Sequence, residues 1–73
     1  MESVLAAGIL RTTAHSIRNG VDVDTALTSA SRGASKPVLD LVVEHIRLRA
    51  PRNRVVTPTD VRDAILAAEE FLR

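Results

Sequence analysis

Four arginines, Arg47, Arg49, Arg52 and Arg54, fall within eight residues that contain no acid. Guanidinium groups make bidentate, charge-assisted bonds to phosphate, so this run is a candidate for nucleic-acid contact, with Arg11 as a more distant contributor. Two other roles fit the same residues. They can complement the negative end of the preceding helix dipole, or they can sit solvated in a loop. Arg49 can also turn inward toward an acidic partner. No aromatic residue interleaves with the cluster, which argues against base stacking on single strands and leaves double-stranded DNA as the nucleic acid to consider.

The remaining reactive residues are sparse. The two histidines, His15 and His45, have no thiolate and no second histidine at ligand spacing. His45 has a role as a pH switch or ligand set against a plainer one, a hydrogen-bonded core or interface histidine, and the plainer one is favoured. His15-Ser16 and Glu44-His45 are sequence neighbours, which point in different directions on a helix, so neither is an orienting pair. Asp22-Val23-Asp24 has the donors for a divalent cation, yet helix capping explains both aspartates more simply. A hydrolytic triad needs three groups converging in a pocket, and no glycine-framed nucleophile exists. The chain is therefore expected to be non-enzymatic, with no cofactor and no metal.

Those residues must be positioned by a small fold. At 73 residues the chain is expected to form one helical domain over residues 1–73, a size that buries only about 60% of its unfolded surface. Domains of this size commonly rely on disulfides, a metal or a partner; there is no Cys, and Phe71 is the sole aromatic. A core of Ala, Val, Leu and Ile makes small contacts, so self-association as a homodimer, or docking to a small helical partner, is expected. The net charge of +1 says nothing about partners by itself. The uncharged stretch 3–10 is too short to span a bilayer, and Glu2 stands where a secretory signal would carry positive charge. Residues 3–21 have some character of an organelle presequence, but an amphipathic helix accounts for them better. A cytoplasmic location is expected, with no membrane association.

The apolar pattern predicts helices throughout. Ala6, Leu10, Thr13 and Ile17, with Ile9 and Ala14 beside them, form a helical stripe over residues 3–18, ended by Asn19-Gly20. Residues 20–24 read as a brief extended link, with Asp22 or Asp24 capping a helix that carries Ala26, Leu27 and Ala30 up to Arg32. Gly33 to Pro37 has two readings. Gly33 ends one helix and Ser35 caps the next, with Pro37 in its first turn; or one kinked helix runs from Asp24 to Arg49, since Leu27, Ala30, Ala34, Val38, Leu41, His45 and Leu48 keep a single phase. The break is favoured, because an interior proline costs about 3 kcal/mol.

Residues 38–49 are apolar around most of their circumference, which predicts a central helix ended by Pro51. Thr57, Pro58 and Asp60 mark a further helix start three ways, as N-cap, first-turn proline and first-turn acid. Val61, Ala64, Ile65, Ala68 and Leu72 form its stripe. Leu66 falls on the far side, exposed or against a second chain, and Glu69 and Arg73 have the spacing of an i,i+4 pair. The fold class expected is all-α, a small three- or four-helix domain. Its candidate interface residues are Leu41, His45, Leu48, Leu66 and Phe71.

Residues 40–65, Asp40-Leu-Val-Val-Glu-His-Ile-Arg-Leu followed by a basic loop and Arg54-Val-Val-Thr-Pro-Thr-Asp60-Val-Arg-Asp-Ala-Ile65, resemble the second half of a histone fold. That resemblance implies a handshake dimer whose paired loops present a DNA-binding edge, with Arg52 and Arg54 on phosphates and Asp60 paired to a loop arginine. The chain departs from the pattern at Gly33 and Pro37, which fall inside what would be an unbroken central helix. It departs again at Asn53, which occupies the expected arginine position between Arg52 and Arg54. Val-Thr-Pro-x-Asp-Val is also a generic helix start. The alternative function is a protein-binding adaptor or assembly subunit that uses Leu66, Phe71 and the small-residue first helix.

Overall fold

The structure, a computed structural model, describes residues 1–72. Four helices follow in order: α1 (Glu2–Arg18), α2 (Val23–Ser31), α3 (Lys36–Arg49) and α4 (Pro58–Phe71). Among the described residues there is no strand. Nor, among the described residues, is any helix long and apolar enough to cross a membrane.

Several helix boundaries have a local chemical cause, although Met1 and Ser35, which precede α1 and α3, make no side-chain capping bond. Asn19 closes α1, and Gly20 takes a positive φ of 87° that turns the chain away. The Asp22 carboxylate accepts hydrogen bonds from the backbone N–H of Asp24 and Thr25, at 3.1 and 3.3 Å, and so starts α2. Gly33, at φ 79°, separates α2 from α3, and Pro37 falls in the first turn of α3, where its missing N–H costs nothing. The stretch 24–49 is thus two helices, as the favoured reading has it. At α4 the Thr57 hydroxyl accepts from the Asp60 N–H at 3.2 Å while the Asp60 carboxylate accepts from the Thr57 N–H at 2.9 Å. This reciprocal capping box satisfies two otherwise orphaned donors.

The core is arranged around α1, not around α3. Ala6, Leu10, Thr13 and Ala14 are all fully buried, and α1 packs against each of the other three helices. Its small side chains let neighbouring backbones approach, and Leu10 fills the space between them. Thr13 is admitted to this core because its hydroxyl donates to the Ile9 carbonyl at 2.7 Å, leaving no unsatisfied donor. Val23 and Ala26 enter from α2, Val38 and Val42 from α3, and Ala64, Ile65 and Ala68 from α4. The expectation that residues 38–49 form the central helix is therefore corrected. Only Val38 and Val42, one turn apart, are buried there, while Val43 and Leu48 stand exposed. An apolar circumference shows how much of a helix can be covered, not how much the other helices are long enough to cover.

Leu66 is corrected as well: it is partly buried and packs against the chain's own core. Val61 and Leu72 flank the same cluster. Glu69 is buried, and its carboxylate meets the Arg18 guanidinium at 3.2 Å, joining α4 to the end of α1. The pairing expected between Glu69 and Arg73 lies outside the described residues.

Candidate functional site

The loop between α3 and α4 carries the arginine cluster, and the structure divides its members. Arg47 and Arg49 occupy the last turn of α3, where positive charge complements the helix dipole. Arg49 is engaged twice. It donates to the His45 carbonyl at 3.0 Å, and its guanidinium lies 4.9 Å from the centroid of the Phe71 ring, within cation–π range. Arg54 is engaged by Asp60 through a bidentate pair of 2.6 and 2.8 Å. Arg47 and Arg52 are exposed and meet no acid among the described residues. Arg11 is likewise exposed, on α1.

Asp60 is the electrostatic anchor of this region. The Arg54 side chain, and after it the backbone N–H of Thr57, hold its carboxyl well below the ordinary value of 3.8. The same hydrogen bond raises the Arg54 guanidinium above its ordinary value. Because the carboxyl is depressed in the folded chain, its stabilisation is fully present above the ordinary carboxylate range. It declines as pH falls below about 4 and is lost toward the lower folded value. Urea denaturation of the wild-type chain and of Asp60→Asn, measured at steps from pH 6 to pH 2, is expected to show a steeper acid decline in the wild type. Parallel curves would contradict this role for Asp60.

The candidate interface residues fall into two groups. Leu41 and Leu66 are partly buried against the chain's own core, which limits what they offer a partner. Leu48 and Phe71 are 57% and 73% exposed. His45 is half-buried, and its Nδ1 is enclosed with no hydrogen-bond partner among the described residues. The expectation of a hydrogen-bonded histidine is therefore not met at that atom; Arg49 donates to the His45 backbone carbonyl. His15 lies at the far end of α1, its Nε2 3.2 Å from the Asn19 amide nitrogen.

Sequence reasoning missed three features. The Arg49–Phe71 contact joins the ends of α3 and α4 across 22 positions, and the Arg18–Glu69 pair spans still more; neither has a local signature. The third is a cavity beside Arg32, at the turn between α2 and α3. Among the described residues, no group of three or more His, Asp or Glu has an arrangement that would hold a metal ion. Comparison with protein-family models, with curated proteins and with solved structures finds no match.

Proposed function

We propose that this chain is a non-enzymatic helical module that works by association, with a second copy of itself as the first partner, through the end of the molecule bearing Leu48 and Phe71. The observation that carries this reading is Phe71. The sole aromatic side chain is 73% exposed, with the Arg49 guanidinium laid over its ring. Aromatic side chains, phenylalanine among them, and arginine are enriched at protein interfaces. An arginine stacked on the ring holds it in place, which lowers the ordering cost of docking. Leu48, in the same last turn of α3 as Arg49, is a further exposed apolar side chain at 57%.

The test is sedimentation equilibrium of the wild type and of the double variant Leu48→Ser, Phe71→Ser. Wild type is expected to self-associate at micromolar concentration. The double variant is expected to associate at least about 30-fold more weakly, the equivalent of losing one residue worth about 2 kcal/mol. Its helical circular dichroism is expected to be unchanged, because neither residue is in the buried core. A wild type that stays monomeric at hundreds of micromolar would overturn self-association.

A second reading, association with double-stranded DNA, is favoured by Arg47 and Arg52, which are exposed and not matched by an acid. Arg54 and Arg49 support it less, since Asp60 and Phe71 already engage them. The unbroken central helix implied by a histone-like arrangement is two helices here, so the DNA reading rests on the loop alone. It predicts duplex binding that weakens steeply with salt. In the Arg47→Ala, Arg52→Ala variant the log–log slope is expected to be shallower by about 0.9 for each phosphate no longer neutralised. Fluorescence anisotropy with a labelled duplex measures both, and no binding at low salt eliminates the reading.

A further inference from the structure

A cavity lies between the first half of α1 and the turn joining α2 to α3. Its volume is about 420 Å³, within the range of about 300–1,000 Å³ typical of small-molecule sites. Leu5, Ile9, Ala34 and Val38 give it apolar walls, and Arg32 and Ser35 supply polar side chains. No acid lines it. Arg32 meets no acid elsewhere among the described residues, so an arginine not matched by an acid borders these apolar walls. Ser35 makes no side-chain capping bond, and the first turn of α3 contains no acid. No acid of the lining or of this first turn therefore offsets Arg32.

We propose that this cavity binds a small amphiphilic monocarboxylate, its alkyl chain against Leu5, Ile9, Ala34 and Val38 and its carboxylate on Arg32. The apolar walls require a hydrocarbon part, since a fully hydrated anion would gain nothing from them. One guanidinium favours a singly charged, planar head group, which it meets with two parallel hydrogen bonds. A polyanion would leave most of its charge unmatched. Neither Leu48 nor Phe71 lines this cavity, so the proposal does not rest on association through those residues.

The experiment is an NMR titration of the ¹⁵N-labelled full chain with sodium octanoate, with sodium acetate and octan-1-ol as comparisons. Octanoate is expected to saturate shifts in the amides of residues 5–9 and 30–38 at millimolar concentration. Octanol, lacking the charge, is expected to bind at least about tenfold more weakly, the loss that follows from removing one charge-assisted contact; acetate keeps that contact but lacks the chain, and the missing buried methylenes are expected to weaken it by at least as much. Arg32→Gln is expected to weaken octanoate by a similar factor, and Arg32→Lys to restore part of it. Arg32 lies outside the buried core, so these variants keep the fold. Octanoate shifts that map elsewhere, equal binding of octanol, or indifference to Arg32→Gln would each overturn the proposal. So would concentration-dependent shifts at the same amides without ligand, which would show a second copy covering the cavity.

Discussion

Leu10→Ala is expected to destabilise the chain by about 2–5 kcal/mol, the range for truncating a fully buried leucine. Leu10 is 0% exposed and sits on α1 among the core side chains of the other helices. Part of the loss is the transfer energy of the removed carbons; the rest is the void left behind. The neighbours cannot refill that void cheaply, because Ala6 and Ala14, one turn to either side, have nothing to extend into it. A domain of 73 residues has a total stability of about 4–11 kcal/mol at typical per-residue values. The substitution therefore removes a large share of the total, and the melting temperature is expected to fall by roughly 10–30 °C. Val55→Ala is the matched control. Val55 is 86% exposed, and its truncation is expected to change stability by no more than about 0.5 kcal/mol. Urea denaturation followed by circular dichroism measures both. A Leu10→Ala loss below about 1 kcal/mol, well under the range for a buried leucine, would show that α1 is not the helix on which the core is assembled.

That helix is also where sequence and structure part most clearly. The start of α4 was legible because its causes are local: Thr57, Pro58 and Asp60 act within one turn. The division at Gly33 was legible for the same reason, since Gly33 and Pro37 each constrain the backbone where they stand. The rank of the helices was not legible. Residues 38–49 carry the densest apolar pattern, but burial is decided by which surfaces meet. The small side chains of α1, weak as hydrophobic signals, are those that let three helices close around one. Leu66 was misplaced by the same logic, because its position on a helical wheel says nothing of how far neighbouring helices wrap around α4.

The arginine loop shows the limit of charge counting. As a string, Arg47, Arg49, Arg52 and Arg54 are equivalent. In the fold, Asp60 engages one and Phe71 another, and the basic character left to a partner rests on Arg47 and Arg52. A loop arginine on Asp60 was expected from the resemblance, and Arg54, six positions away, makes that contact, tied to the capping box. The Phe71 contact was not, since it depends on how α3 and α4 cross.

Three single substitutions by alanine are expected to change stability in opposite directions although the space around them is alike. A Cβ built at Gly8, Gly20 or Gly33 meets nothing within 4 Å, so packing does not distinguish the sites; backbone conformation does. Gly20 and Gly33 have φ of 87° and 79°, where an L side chain costs about 1–2 kcal/mol. Gly8 lies inside α1, where glycine itself costs about 0.5–1 kcal/mol relative to alanine. Gly8→Ala is therefore expected to stabilise by that amount, and Gly20→Ala and Gly33→Ala to destabilise by about 1–2 kcal/mol each. Gly33→Ala carries the greater structural meaning. If α2 and α3 were one helix in solution, Gly33 would have a helical φ and alanine would stabilise it as it does at Gly8. Denaturation midpoints of the three variants decide this. A stabilised Gly33→Ala with increased helical circular dichroism would mean that the break between α2 and α3 does not persist in solution.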